Sequence, residues 1–518
     1  MTESRRPFRR QVLVNTASSG IANVWAMVVA FVSLPLLLRG LGQDAFGTYV
    51  LLMTFSATNG WFSLGDLGVV VATTREVASR ASAGDDVGTR QSVSSSLALC
   101  TGLGLIGGLA LAVVGPIVLP TLFNTPDDLV GPLQSAIVAL AVQIVLDLAI
   151  NSLEASLEGL QRVDLSRWVD MFRRTIVVGA TATAALITGD LLTVAIASAT
   201  ATGVAAVVAV VVLWRQLPRF ATVPSRIDHI GLLRYGSSVA LLRPLGVLQR
   251  TMDRVIVGAV LGPAAVALVE IAAQLQAGAE AVLSASSYAV VPASSWLTAR
   301  EDHGTMGELA ERGTRYSVLA TLPLVIAIAT LSPAIVAVWV GPNYAEAAGL
   351  TTVAVLSVAL AAPLAVGSQM LLGMGRASTI LRAALVAVAI NLSLSILLVH
   401  VIGIVGVFIA TLVGAAVLLP LLGRPFLRAT GLGLGTFVRT TLRPVLAPAV
   451  LQLIVTLAVV VLPLSPLATV IVGGGLGVAV FGSAALRWSL APGELAELRS
   501  VLRPGRGDPD PIAEDPAE

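Results

Sequence analysis

Apolar runs follow one another along almost the whole chain, parted by short clusters of Gly, Pro, Asp and Arg. A helical bilayer crossing takes roughly 20 residues. Windows of that kind fall at 12–38, 46–72, 93–120, 130–156, 168–188, 191–214, 230–261, 264–295, 315–340, 348–372, 379–400, 402–422, 440–463 and 466–486. The pattern predicts an all-α polytopic membrane protein of fourteen transmembrane helices. Beyond them the chain turns polar. "PGELAELRSVL" suits a short surface helix, and "PGRGDPDPIAEDPAE" has the composition of a disordered acidic tail.

Polar residues inside these windows are few and clustered. The seventh window holds Arg243, Arg250 and Arg254, with Gln249 and Asp253 among them. At 100° per residue Arg250 and Arg254 lie about 20° to either side of Arg243, so the three share one stripe. Three cations on one face of a membrane helix are costly unless the face meets water or an anion. The fourth window carries Gln143, Asp147, Asn151, Glu154 and Glu158 at helical spacing. The eighth carries Glu270, Gln274, Glu280, Ser284 and Ser287, the second Asn59 and Asp66, and the tenth Ser368 and Gln369 near Pro363. Asn59, Gln143, Asn151, Gln249, Gln274 and Gln369 are candidates to line a polar cavity. Asp66, Asp147, Asp253 and Glu270 are candidates to carry a coupling ion, because membrane-embedded acids are natural proton carriers. Plainer structural roles stand beside these. Glu154 and Glu158 can pair with Arg162, Asp66 can anchor a helix end, and Glu270 can be an interface residue. Arg254 can pair with an acid across the 7–8 hairpin, and Asp253 can neutralise Arg250.

Composition narrows the class. The chain is 56% hydrophobic and 12% charged, where soluble proteins carry about 25% charged residues. Every basic residue is Arg. Cys100 is the only cysteine, and the three histidines are far apart in sequence, which argues against a disulfide or a metal site. The arginines gather in alternate loops, from Arg5, Arg6, Arg9 and Arg10 through Arg75, Arg162, Arg215, Arg300, Arg376 and Arg424 to Arg487. The intervening loops ("FNTPDD", "TGD", "VGPNYAE", "LPLSP") hold none, and Arg39 alone lies on that side. By the positive-inside rule both termini are cytoplasmic. The basic start leads into an apolar segment too long for a signal peptide, and reads as a retained first span.

Two turns repeat. "LGQDAFGTYVLL" (41–52) resembles "LGPAAVALVEIA" (261–272), and "GLQR" (159–162) resembles "GMGR" (373–376), at offsets of 220 and 214. A shared order and direction imply two parallel six-helix lobes around a central cavity. The expected division is a basic cytoplasmic N-terminus (1–11), an N-lobe (12–215), a linker (216–229), a C-lobe (230–423), an appended helix pair (424–487) and a cytoplasmic tail (488–518).

"SLPLLLRGLGQDAFGTYVLLMTFSATNGWFSLGDLGVVVATTREVA" (33–78) resembles the opening of bacterial polysaccharide flippases, with their "P-x-x-x-R-x-L-G…FG" turn and D-x-G leading to Thr-Arg. "LEGLQRVDLSR" (157–167) and "MDRVIVGAVLGPAAVALVEIA" (252–272) are similar to two further segments of that family. It belongs to the multidrug/oligosaccharidyl-lipid/polysaccharide exporter superfamily. The resemblance implies alternating access, coupled to H+ or Na+ and with no other cofactor, in a bacterial plasma membrane. The implied cargo is an oligosaccharide on polyprenyl pyrophosphate. The implied partners are that lipid-linked oligosaccharide, membrane lipids and other polysaccharide-assembly proteins, without nucleic acid. One departure is expected: no arginine lies deep in spans 1–6, so cationic contacts rest on Arg243, Arg250 and Arg254, whose forks suit a pyrophosphate. A peptidoglycan lipid-precursor flippase and a drug or cation exporter are the nearest rivals. A membrane glycosyltransferase or polymerase fits less well, because every outer loop is short. The chain therefore reads as a transporter without catalytic residues.

Overall fold

The computed structural model describes residues 5–58, 60–221, 224, 228–234, 243–287, 290–300, 302–490 and 493–494, and among these no strand occurs. The first half comprises α1 (Arg5–Leu41), α2 (Gln43–Met53), α3 (Val69–Ser82), α4 (Asp86–Leu122), α5 (Asp127–Gly159), α6 (Val163–Thr188) and α7 (Leu191–Gln216). The second comprises α8 (Arg243–Leu261), α9 (Pro263–Ser287), α10 (Val290–Ala299), α11 (His303–Trp339), α12 (Glu346–Gly373), α13 (Ala377–Ile402) and α14 (Ile404–Thr430). After the turn Leu434–Phe437 and the π-helical turn Val438–Leu442 come α15 (Arg443–Val461) and α16 (Pro466–Trp488). Asp85, Asp190, Asp302 and Ser465 cap their helices, each accepting a backbone N–H three residues on.

Eleven helices among the described residues are long and apolar enough to cross a membrane, against fourteen apolar windows. The other three windows show why. Window 46–72 is not one helix: after Met53 the chain passes through a 3-10 turn, Trp61–Leu64, and restarts at Val69. Asp66 makes that restart by accepting the Gly68 N–H on Oδ1 (3.2 Å) and the Val69 N–H on its carbonyl (2.8 Å). Leu67 and Gly68 between them take positive φ, 48° and 78°. Window 168–188 is the continuous helix α6, but it carries Asp170, Arg173 and Arg174 within its span rather than in a loop. Window 230–261 is described only in part, as a helical turn at 228–234 and as α8.

The halves repeat one plan. In the first, α1 packs on α6, α4 on α5, α5 on α7, and α6 on α7. In the second, α8 packs on α13, α11 on α12, α12 on α14, and α13 on α14. The paired turns share backbone geometry as well. Gly42 and Gly262 take φ of 78° and 84°, each donating its N–H four residues back. Gln161 and Gly375 take φ of 60° and 74°, and the arginine after each donates its N–H to a carbonyl five residues back. Helices α15 and α16 pack on each other and on α11.

One apolar core runs through both halves at the arginine-poor end, taking in Leu38, Leu51, Phe123, Val257, Val266 and Val336. At the arginine-rich end the core is split. Val77, Ile150, Leu157, Val169 and Leu213 form a cluster in the first half, and Val290, Ala310, Met370, Leu371 and Phe426 form a separate one in the second. Buried apolar residues thus join the halves at one end and form separate clusters at the other. The joined end is tied by Gln43 Nε2 to the Ala264 carbonyl (3.0 Å) and by Asn124 Nδ2 to the Ala259 carbonyl (2.8 Å). Phe31 also stacks on Trp339 with centroids 4.4 Å apart, while the indole N–H donates to the Phe31 carbonyl at 3.0 Å.

Candidate functional site

The arginine stripe begins at the first residue of α8, Arg243, whose side chain lies outside the described residues. Arg250 is exposed and, among the described residues, makes no ion pair or hydrogen bond; Gln249 beside it is exposed as well. Arg250 stands roughly 16 Å of helix from the hairpin at Leu261. Arg254 is different: its Nε lies 2.6 Å from Glu270 Oε2 across the α8–α9 hairpin. The contact is an ion pair without the alignment of a hydrogen bond. Because Arg254 and Glu270 are equally far from Gly262, the pair marks the register, and one turn further on Arg250 comes level with Gln274, which is half-buried.

Asp253 does not neutralise Arg250. Its Oδ2 accepts from Thr411 Oγ1 of α14 at 3.3 Å, and Thr411 Oγ1 in turn accepts from Asn391 Nδ2 of α13 at 3.0 Å. Three helices therefore meet at one carboxylate, one hydroxyl and one carboxamide.

The first half holds a charged network that corrects the expectation of no deep arginine there. Arg173 is only 6% exposed. Its Nη1 donates to Asp147 Oδ1 (3.1 Å) and its Nη2 to Asp170 Oδ1 (3.0 Å), while Arg174 Nε reaches Asp170 Oδ2 at 2.8 Å. Gln143 extends the network inward: its Nε2 lies 3.5 Å from Asp147 Oδ2, and its Oε1 accepts from Ser198 Oγ of α7 at 2.9 Å. Asp147 and Gln143 thus sit inside the first half rather than on the cleft. Glu158 pairs with Arg167 (2.8 Å), and Arg162 instead holds Asp164 (3.2 Å). Glu154 keeps one carboxylate oxygen buried without a hydrogen-bond partner.

Of the remaining candidates, Asp66 closes the α3 restart, and Asn151 and Gln369 are half-buried. Asn59 lies outside the described residues. Sequence reasoning missed Arg173, although Asp170, Arg173 and Arg174 have the i, i+3 and i, i+4 spacing of a helical ion-pair cluster.

Two matched helical lobes of this plan form a fold that solved membrane-transporter structures share. An inward-closed structure of the lipid II flippase MurJ matches with a TM-score of 0.70 at 13% identity, covering 93% of this chain and 99% of that one. An inward-facing multidrug resistance MATE family transporter matches at 0.64 and 15% identity, covering 78% and 95%. No curated protein matches the chain. The model of the polysaccharide biosynthesis protein family matches residues 12–298, more than half of the chain, and the chain belongs to that family.

Proposed function

We propose that the protein is a flippase that carries an oligosaccharide linked to polyprenyl pyrophosphate from the cytoplasmic to the outer leaflet of a bacterial plasma membrane. Arg250 carries this reading. A guanidinium left without an ionic partner on a helix packed among membrane-crossing helices is costly unless an anion or water meets it. A pyrophosphate head group offers the paired oxygens that the guanidinium fork binds bidentately. The split arginine-rich end is the cytoplasmic end, where cargo enters, and the polyprenyl tail stays in lipid. Arg250 and Arg243 hold the head group in succession, whereas Arg254, already paired with Glu270, shapes the hairpin.

Coupling to H+ or Na+ is assigned to Asp253. Asp147 and Glu270 are engaged by arginines, and Asp66 closes a turn. Asp253 alone of the four joins three helices of one lobe through neutral partners. Asp253→Asn should flip cargo at a rate no longer raised by an imposed gradient. A gradient response equal to wild type would place coupling elsewhere.

The primary test is flipping of lipid-linked oligosaccharide in proteoliposomes at matched protein levels. Removing a charge-assisted contact that leaves its partner buried costs ~2–5 kcal/mol, so Arg250→Ala should nearly abolish flipping. Lys at 250 should restore it only in part, since the fork is lost. Normal flipping by an Arg243→Ala, Arg250→Ala double variant would sink the proposal. A peptidoglycan lipid precursor is the second reading, favoured by the fold shared with MurJ across nearly the whole chain. Presenting both lipids to one preparation separates the two.

A further inference from the structure

A pyrophosphate accounts for Arg250 but not for the residues facing it. On α9, Glu280 is exposed although its helix belongs to a membrane-crossing segment. Its Oε1 accepts from Gln276 Nε2 at 2.8 Å, and the same amide nitrogen lies 3.4 Å from Ser357 Oγ on α12. An exposed carboxylate at this depth borders water rather than lipid, since bordering lipid is too costly. Glu280 lies within the electrostatic reach of Arg250. The two nevertheless form no ion pair, and neither has another ionic partner among the described residues. Both charges therefore remain open to a ligand. Along the helix axis Glu280 lies six residues, roughly 9 Å, beyond Gln274, the residue level with Arg250. One phosphate and one sugar ring fill that length.

We propose that Glu280, positioned by Gln276, binds hydroxyls of the sugar joined to the pyrophosphate, so that α9 forms a sugar subsite beside the head-group arginine. This rests on the pyrophosphate reading above. The chemistry fits, because an ionised carboxylate only accepts, with about four lone-pair positions. Gln276 occupies one of them and leaves Oε2 for sugar hydroxyls. Those hydrogen bonds are charge-assisted and shorter than neutral ones.

The experiment measures binding of short-chain probes to the purified full-length protein: geranyl pyrophosphate, and the same compound carrying glucose, galactose or N-acetylglucosamine. Wild type should bind at least one glycosylated probe roughly tenfold more tightly than the bare probe, the gain expected of one charge-assisted hydrogen bond. In Glu280→Gln the affinity for that glycosylated probe should fall in absolute terms. Gln276→Ala should lower it less, because the carboxylate remains but is no longer held. If wild type binds bare and glycosylated probes alike, there is no sugar subsite and the proposal is overturned. It is also overturned if Glu280→Gln binds both probes more tightly, since Glu280 would then only counterbalance the Arg250 charge. Failure of wild type to bind even bare geranyl pyrophosphate would remove the pyrophosphate reading itself, an outcome distinct from the other two.

Discussion

Arg173 is held by two carboxylates from different helices, at a point roughly 18 Å of α5 from the arginine-rich end. Its side chain is 7% exposed and that of Asp147 2%. Breaking a buried pair by removing one partner costs about 3–5 kcal/mol, because the other charge stays behind uncompensated. Arg173→Met should therefore destabilise the purified protein by about that amount, read as the midpoint of denaturant unfolding. Adding Asp147→Leu should recover part of the loss. An Arg173→Met protein as stable as wild type would show that the network holds nothing together. The residue was hidden in the sequence because arginines near a polar loop are counted with the loop. The neglected sign was Asp147, an acid in an apolar run with no basic residue a turn away on its own helix. The pairing of Arg254 with Glu270 was legible, by contrast, since both stand equally far from a hairpin glycine and antiparallel helices bring such positions together.

Among the helices, α2 and its surroundings were the least legible. Apolar composition cannot distinguish a straight crossing from one broken at Asp66-Leu67-Gly68, because both keep the same residues in the membrane. The break is decided by a side-chain acceptor and two positive-φ positions. The close approach of α2 to α9 is decided by Gly47, where a Cβ would collide with the carbonyl oxygen of Pro263. Gly47→Val should therefore force α2 and α9 apart and loosen the joined end. A reporter at Thr48, which is 1% exposed, makes this measurable. In a Cys100→Ser background, Thr48→Cys should resist a membrane-impermeant maleimide added to cells and become reactive once Gly47→Val is present. Equal labelling with and without Gly47→Val would mean that the α2–α9 contact does not control access to this end.

At the scale of the molecule, the proposed flipping by alternating access requires a second arrangement in which the end joined by the shared core opens. Orientation comes first. Reporter fusions after Asp128, Asp190 and Glu346 should report the outside, and fusions after Arg90, Arg226 and Arg312 the inside. The arginine pattern carries that expectation of sidedness, whereas which end shares the common core depends on packing between distant helices and left no periodic trace. Transport by alternating access then requires the contact of Gln43 with Ala264 to part once in every cycle. The Gln43 side chain reaches the Ala264 carbonyl across the two halves, so Gln43→Cys with Ala264→Cys in a Cys100→Ser background should be bridged by a short, reducible bis-methanethiosulfonate reagent. The cross-link should hold the present state, stop flipping, and release it on reduction, while each single cysteine flips normally after the same reagent. Undiminished flipping by fully cross-linked protein would mean that the joined end never opens. Cargo would then have to cross at the membrane-facing side of the lobes, and the unpartnered Arg250 would need another explanation.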